Sequence, residues 1–160
     1  MSFNRKKQRI VSLAFILIPL AVGGLSALLS KNGMKAYAAL TAPPLAPPGV
    51  VFPIVWALLY ILMGVGAAIV YHRPKSPERQ KGLWLFGAQL VVNFFWSILF
   101  FGAGWRLFSL IWLVLLLTLV IVMYFIFDKA SHAAAYLQIP YVLWLCFAVY
   151  LNFGIWFLNR

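Results

Sequence analysis

Apolar residues dominate five long stretches of the chain, and the charged residues lie before, between and after them. A helix that crosses the hydrocarbon core of a bilayer needs about 20 predominantly apolar residues. The five stretches have about that length and contain no Asp, Glu, Lys or Arg; they cover residues 10–29, 50–71, 83–101, 107–127 and 133–158. The pattern therefore predicts an all-α, polytopic membrane protein in which five transmembrane helices form a single domain over residues 1–160.

The segment between the first and second stretches is the longest connection. Residues 31–49 contain two proline pairs, Pro43-Pro44 and Pro47-Pro48, together with several apolar side chains. Paired prolines favour a stiff, extended backbone and remove hydrogen-bond donors. This loop is predicted to act as a lid on the bundle, and the alternative is a connection that only spans the distance between two helix ends.

The composition excludes a water-soluble fold. Hydrophobic residues make up 65% of the chain and charged residues 9%, whereas soluble domains are about half apolar and about a quarter charged. The net charge of +11 comes from 13 Lys and Arg residues against Glu78 and Asp128. These cations lie between the apolar stretches, where they meet lipid headgroups, so the expected partner is the lipid bilayer and not nucleic acid.

The distribution of Lys and Arg between the two ends of the helices predicts the orientation. If successive helices alternate in direction, nine of these residues lie on the side of the N-terminus and four on the opposite side. Cytoplasmic segments carry the excess of Lys and Arg. The N-terminus of this integral membrane protein is therefore predicted in the cytoplasm and the C-terminus outside.

The chemistry that the apolar stretches lack narrows the function. Ion-driven pumps keep ionisable side chains inside the membrane, and the five stretches contain no Asp, Glu, Lys or Arg. His72 and His132 lie near predicted helix ends, and no carboxylate is expected to pair with either. Without candidates for a metal site or an activated nucleophile, no metal or cofactor is expected, and a binding protein is favoured over a hydrolase.

Aromatic residues are the chemistry that remains, with 7 Trp, 7 Tyr and 14 Phe in the chain. Trp84, Trp105 and Trp156 lie at stretch ends, where aromatic residues anchor helices at the membrane interface. Other aromatic residues lie deeper and share a helix face with polar neighbours. These faces are Phe52, Trp56 and Tyr60 on the second helix, Asn93, Trp96, Ser97 and Phe100 on the third, and Trp144, Ala148, Leu151 and Asn152 on the fifth.

The amides of Asn93 and Asn152 are predicted to face the bundle interior, because lipid would leave their donors unpaired. Two interpretations stay open at this point. The amides hold neighbouring helices together, or they supply the few polar groups of an aromatic ligand pocket. Pro140 is predicted to kink the fifth helix above these residues.

The same residues resemble the motifs of one family. Residues 43–48 with 51–64 are similar to the proline-rich loop and second helix of the TspO/translocator-protein family, also called the tryptophan-rich sensory protein or peripheral benzodiazepine receptor family. Residues 90–101 resemble its third helix, and residues 140–152 resemble its fifth. The resemblance covers nearly the whole chain, with three motifs in the family's order.

The resemblance implies a receptor- or sensor-type bundle, often a homodimer, with a pocket closed by the first loop. Its ligands would be porphyrins and other tetrapyrroles, cholesterol, and isoquinoline or benzodiazepine drugs. Some bacterial members are linked to light-dependent porphyrin breakdown, for which Trp56 and Trp144 are the matching catalytic tryptophans. Carried over residue by residue, the ligand-binding set is Tyr37 and Pro47 from the loop with Phe52, Trp56, Tyr60, Asn93, Trp96, Ser97, Trp144, Ala148, Leu151 and Asn152.

Three functions remain open. The protein binds a tetrapyrrole or another planar apolar molecule, carries a tetrapyrrole, lipid or sterol across the membrane, or degrades porphyrin under light. After Tyr150 no basic residue occurs at the spacing of the cholesterol motif of animal members, which argues against cholesterol and favours a bacterial cell membrane. Lys31, Lys35 and Arg106, on the lid side, are either partners of porphyrin propionates or solvated charges.

Pairs of small residues bear on the expected homodimer. Gly64 with Ala68, and Gly23 with Ala27, have the spacing that lets two transmembrane helices approach closely. Such pairs contact a second copy or pack helices within one chain, and the sequence leaves both interpretations open.

Overall fold

The computed structural model describes residues 2–160, which form six α-helices and one π-helical segment without any β-strand. The elements are α1 (Ser2–Ala38), α2 (Val51–Tyr71), α3 (Pro77–Ser97), the π-helical segment (Ile98–Gly102), α4 (Arg106–Ala130), α5 (His132–Tyr136) and α6 (Ile139–Leu158). In this part of the chain, five helical units are long and apolar enough to cross a membrane. The prediction of an all-α protein with five transmembrane helices is confirmed.

Helix α1 is longer than the apolar stretch that predicted it. The stretch ends at residue 29, but the helix continues through the polar Lys31 and Asn32 to Ala38. This extension is closely packed, because a Cβ atom at Gly33 would collide with the carbonyl group of Phe101. The loop is thereby shortened to residues 39–50.

The fifth apolar stretch folds as two helices. α5 ends at Tyr136, α6 begins at Ile139, and Pro140 occupies the first turn of α6. A proline fits there, because the first backbone N–H groups of a helix have no acceptor within the helix. The helical hydrogen bonding of the fifth span is interrupted at Leu137 and Gln138, in the turn that precedes the proline, which is where a proline-induced kink is expected.

Helix α1 packs along α2 and against the π-helical segment, while α4 packs against both α3 and α6. α1 and α2 approach closely at Gly64, where a Cβ atom would collide with the carbonyl oxygen of Phe15. Gly23 lies against the ring of Tyr60 in the same way. Both glycines of the small-residue pairs thus pack helices within the chain.

Side chains of α2, α4 and α6 fill the centre of the bundle, and the largest fully buried ones include Met63, Leu113, Leu116, Met123, Phe127, Tyr141 and Leu145. The outer faces of α1 and α4 are also apolar, and Leu17, Leu28, Ile111 and Phe125 are all more than half exposed. Such surfaces are stable where the surroundings are hydrocarbon, and helices satisfy their backbone groups internally there. The chain is therefore an integral membrane protein.

Candidate ligand-binding site

A cavity of about 230 Å³ lies between α1, α2 and the C-terminal end of α3. Its walls are formed by Leu20, Gly23, Gly24, Ala27, Ser30, Met34, Phe52, Pro53, Trp56, Ala57, Tyr60, Ser97 and Phe101. Small-molecule sites typically have volumes of about 300–1,000 Å³ and mostly apolar walls with a few polar groups. The cavity has that chemical character at a slightly smaller size.

The cavity opens on the side of the bundle. Four of its wall residues, Gly24, Ala27, Pro53 and Ala57, are exposed at the outer surface. They belong to α1 and α2 and lie within the two membrane-spanning units. The opening therefore faces the region that lipid occupies, and an apolar molecule dissolved in the bilayer reaches it without crossing water.

Three aromatic side chains of α2 form one wall. Phe52, Trp56 and Tyr60 are spaced by four residues, so they lie on one face of the helix. The ring centroid of Trp56 is 5.6 Å from that of Tyr60 and 6.1 Å from those of Trp96 and Tyr141. These distances are typical of favourable aromatic contacts, and they fix the Trp56 ring from behind.

A chain of buried hydrogen bonds lies behind this wall. The Tyr60 hydroxyl donates to Asn93 Oδ1 at 2.9 Å, and Asn93 Nδ2 donates to the Tyr141 hydroxyl at 2.8 Å. That hydroxyl in turn donates to Gln89 Oε1 at 2.8 Å. Asn93 is buried, as predicted, and its contacts join α2, α3 and α6. Its place in the structure fits the interpretation that the amide holds helices together.

Asn152 makes a comparable set of contacts near the C-terminal end of α6. Its Oδ1 accepts hydrogen bonds from Trp96 Nε1 at 3.3 Å and from Ser109 Oγ at 3.2 Å. Its Nδ2 donates to the carbonyl oxygen of Arg106 at 2.9 Å. The predicted interior position of Asn152 is confirmed, and its amide connects α3, α4 and α6 without lining the cavity.

Only some of the residues proposed for the pocket line the cavity. Phe52, Trp56, Tyr60 and Ser97 line the cavity. The remaining residues do not line it: Tyr37, Pro47, Asn93, Trp96, Trp144, Ala148, Leu151 and Asn152. Tyr37 was predicted in the loop, and it lies instead in the last turn of α1, where its ring contacts three phenylalanine rings.

Trp144 lies outside the cavity on the far side of Phe52. The two ring centroids are 6.0 Å apart in an edge-to-face arrangement. The indole Nε1 of Trp144 is buried and has no hydrogen-bond partner among the residues that the structure describes. Of the two tryptophans that the family resemblance selects, Trp56 alone borders the cavity.

The first loop is held against α6. The Tyr150 hydroxyl donates to the carbonyl oxygen of Pro44 at 2.7 Å, and Asn159 exchanges two hydrogen bonds with the backbone of Thr41 at 3.0 and 2.9 Å. Pro43 is buried against Gly154. No residue of the loop lines the cavity.

Sequence reasoning missed the wall that α1 provides. Six residues of α1 line the cavity, including Gly23, Gly24, Ala27 and Ser30. Small residues carry little chemistry, so the search for aromatic and amide side chains passed over them. The signal was present as a run of small residues at helical spacing, which was interpreted only as a helix-packing surface.

The π-helical segment shapes the end of the cavity. Ile98–Gly102 follows Ser97 directly, and its backbone N–H groups reach one residue further than in an α-helix. This register places Phe101 in the cavity wall. π-Helical turns inside α-helices occur frequently at functional sites, and here the turn adjoins the polar part of the cavity.

The charged residues Lys31, Lys35 and Arg106 lie at different positions relative to the cavity. Lys31 and Lys35 are exposed and continue the helical stripe of Gly24 and Ala27, so they lie beyond the side opening on α1. Arg106 begins α4, which contributes no wall residue.

One expectation about the histidines is wrong. His132 Nδ1 lies 2.6 Å from Asp128 Oδ1, four residues earlier at the junction of α4 and α5. Ser131 between the two helices is extended, so the turn of the chain at this junction and not a continuous helix brings the two side chains together. The pair lies at the surface, and neither residue lines the cavity.

Comparison with known proteins gives consistent matches along the chain. Residues 15–157 match the family described as TspO/MBR. The tryptophan-rich protein TspO of Chlorobaculum tepidum is 40% identical over 124 residues, which cover 77% of this chain and 78% of that protein. Protein CrtK of Rhodobacter capsulatus is 35% identical over 129 residues, with 77% and 78% covered. The translocator protein of Bos taurus is 32% identical over 148 residues, with 91% and 88% covered.

Proposed function

The chain belongs to the TspO/MBR family, and we propose that it is a receptor- or sensor-type membrane protein that binds porphyrins and other flat, apolar molecules in the cavity between α1 and α2. The observation that carries the proposal is the aromatic wall formed by Phe52, Trp56 and Tyr60. The same wall suits the isoquinoline and benzodiazepine ligands that the family resemblance implies.

Shape and stacking support a planar ligand. A ring system laid against Trp56 gains about 0.5–1.5 kcal/mol per aromatic contact beyond the burial of its area. A cavity of about 230 Å³ holds a small planar molecule or one edge of a tetrapyrrole. The side opening leaves the rest of a larger ring between α1, α2 and the lipid.

A porphyrin titration with two matched variants tests the proposal. Protoporphyrin is added in the dark to purified protein in detergent, and its absorbance shift is followed. Trp56→Phe is expected to weaken binding about three- to tenfold, because it removes part of the stacking surface. Trp144→Phe makes the same change outside the cavity and is expected to bind nearly as the native protein does.

Two outcomes contradict the proposal. Porphyrin uptake that never saturates, and that matches uptake by empty detergent micelles, would favour a lipid or sterol binder or carrier. If Trp144→Phe weakens porphyrin binding and Trp56→Phe does not, the porphyrin binds on the α6 side of Phe52 and not in the cavity. The two variants therefore separate the cavity from the wider pocket that the family resemblance implies.

Light-dependent porphyrin breakdown is a second candidate, favoured by the position of Trp56. Its ring borders the cavity and is in contact with Tyr60, Trp96 and Tyr141. Loss of porphyrin absorbance under light but not in the dark, and a slower loss in Trp56→Phe, is the expected result for such an enzyme. Equal rates in the light and in the dark would leave binding as the function.

The orientation and the homodimer are proposed on separate grounds. The excess of Lys and Arg on the side of the N-terminus supports a cytoplasmic N-terminus in a bacterial cell membrane. Labelling of single cysteines at Asn4 and Asn159 with an impermeant reagent, in a Cys146→Ser background, tests it; labelling at Asn4 in intact cells would reverse the orientation. Crosslinking in native membranes tests the dimer, and monomers alone would contradict it.

A further inference from the structure

One polar atom in the cavity wall has no hydrogen-bond partner. Ser30 on α1 lines the cavity, and 1% of its surface is exposed. Its Oγ is buried and makes no hydrogen bond to any of the residues that the structure describes. A buried hydroxyl without a partner costs free energy, and such atoms are rare in folded proteins.

A neighbouring serine shows that the fold can satisfy such a group. Ser26, one turn earlier on α1, is equally buried, and its Oγ donates to the carbonyl oxygen of Phe94 at 2.9 Å. Ser30 makes no equivalent bond to α3, and its side chain is part of the cavity wall instead. The oxygen itself has almost no accessible surface, and a rotation about the Cα–Cβ bond would be needed to turn it from the protein interior toward the cavity.

The packing of α1 places a second hydroxyl nearby. Ser26 bonds to Phe94, and Gly33 contacts the carbonyl group of Phe101. In both pairs the two residues are 68 positions apart along the chain. α1 therefore runs parallel to α3 and the π-helical segment that continues it. Ser30 lies at the height of the start of that segment, directly after Ser97. Ser97 also lines the cavity, so the wall contains two serine residues at a similar height along the bundle.

We infer that Ser30 is a ligand-binding residue whose Oγ–H donates a hydrogen bond to a carbonyl oxygen of the bound molecule. The inference rests on the proposed function and adds the chemical class of the ligand: a flat, apolar ring system with a carbonyl oxygen at its edge. A carbonyl oxygen accepts hydrogen bonds and donates none, so it suits a serine hydroxyl that lacks an acceptor. Aromatic surface at Trp56 then supplies affinity, while Ser30 sets the orientation of the ring.

Two probes that differ only in the carbonyl group test this inference. Fluorenone and fluorene share one planar tricyclic skeleton, and fluorenone carries the carbonyl oxygen. Fluorenone binding to purified protein is followed by tryptophan fluorescence, and fluorene is measured as its competitor. The variant is Ser30→Ala, and Ser26→Ala is the control, because its hydroxyl is already committed to Phe94.

The native protein is expected to bind fluorenone about three- to tenfold more tightly than fluorene, as one hydrogen bond allows. Ser30→Ala is expected to abolish that preference with fluorene affinity unchanged, and Ser26→Ala to keep it. A preference that survives in Ser30→Ala overturns the inference while the proposed function stands. Saturable binding of neither probe by the native protein overturns the inference, and the porphyrin titration then decides separately whether the proposed function stands.

Thermal unfolding of the ligand-free protein gives an independent readout. Ser30→Ala removes a hydroxyl that has no partner, so its unfolding midpoint is expected to equal or exceed that of the native protein. Ser26→Ala removes a satisfied hydroxyl and leaves the Phe94 carbonyl without that donor, so its midpoint is expected to fall. A clear fall in Ser30→Ala would show that its hydroxyl already has a partner in the protein, which also overturns the inference.

Discussion

At the scale of single residues, Tyr60 joins two parts of the molecule. Its ring forms part of the cavity wall, while its hydroxyl begins the buried chain that continues through Asn93 and Tyr141. Buried polar groups of this kind are costly unless each has a partner, and a fully satisfied chain fixes the positions of its members. The geometry of the cavity therefore depends on polar contacts that lie behind its wall.

Two adjacent glycines offer a direct test of that geometry. Gly23→Ala is expected to lower stability by about 1–3 kcal/mol and to weaken porphyrin binding, because the new methyl group displaces the Tyr60 ring. The Cζ atom of Tyr60 would lie only 2.6 Å from that methyl group. Thermal unfolding and porphyrin titration in detergent measure the two effects.

Gly24→Ala is the matched control for Gly23→Ala. A Cβ atom at Gly24 meets no atom within 4 Å, although both glycines line the cavity. Both substitutions gain the same helix propensity, so the difference in stability between them reports the contact with Tyr60. Equal stability and equal affinity in the two variants would show that Tyr60 moves aside without cost.

The polarity of individual residues predicted part of this arrangement. The interior positions of Asn93 and Asn152 followed from the cost of placing an amide against lipid, which requires no knowledge of neighbouring helices. Their partners depend on how each helix is rotated about its axis relative to the others. A single sequence does not contain that rotation, and the amides were open to a ligand-binding interpretation for that reason.

At the scale of secondary-structure elements, the first loop and α6 behave as one unit. Hydrogen bonds from Tyr150 and Asn159 and the contact of Pro43 with Gly154 hold the loop against the helix. The prolines make the loop stiff, so fixing it at a few points restrains most of its length. A loop attached in this way moves only when these contacts break.

Gly154→Ala is expected to loosen the loop without unfolding the bundle. The added methyl group would lie 2.6 Å from Pro43 Cβ, so the loop must shift away from α6. The backbone amides of Thr41, Ala42, Leu45 and Ala46 are expected to exchange hydrogen faster, because contacts that protect them are lost. Hydrogen exchange followed by mass spectrometry measures the effect.

Gly87→Ala controls for that experiment, since a Cβ atom there meets no atom within 4 Å. The midpoint of thermal unfolding is expected to remain similar in both variants, because the loop contributes little to the buried core. Unchanged exchange of the loop in Gly154→Ala would mean that the contact with Pro43 adapts locally.

The elements themselves were predicted well in number and less well at their ends. Length and polarity suffice to identify five spans, because a bilayer imposes both. The polar residues after residue 29 resembled a loop, yet α1 continues because Gly33 packs against the carbonyl group of Phe101. End positions of this kind depend on tertiary contacts, which local sequence does not encode.

At the scale of the whole molecule, the cavity combines a membrane-facing side opening with a charged end. Gly24 and Ala27 border the opening, and Lys31 and Lys35 follow them on the same stripe of α1. An amphiphilic ligand with an apolar ring and carboxylate tails matches this sequence of surfaces. Porphyrins with propionate groups have that form.

Neutralising Lys31 and Lys35 is expected to affect charged porphyrins alone. The double substitution Lys31→Gln with Lys35→Gln should weaken protoporphyrin binding about two- to tenfold, in line with the modest strength of exposed ion pairs. The dimethyl ester of protoporphyrin lacks the charges and should bind as before. Titrations of both compounds at low and high salt measure the difference, which should shrink as salt screens the pairs.

Arg106→Gln serves as the control, since Arg106 lies on α4 away from the walls of the cavity. It is expected to leave the affinity for both porphyrins unchanged. Equal weakening of the acid and the ester by the lysine substitutions would show that these side chains act on the structure and not on the propionates.

The side opening of the cavity also determines which ligand concentration governs binding. A ligand that enters the proposed site past Gly24 and Ala27 would come from the hydrocarbon phase, where an apolar compound accumulates by partitioning out of water. Occupancy then follows the mole fraction of ligand in the lipid, and a site with modest intrinsic affinity fills at very low aqueous levels. A dissociation constant expressed per volume of water should therefore rise as lipid or detergent is added, while the same constant expressed as a mole fraction in the apolar phase stays fixed.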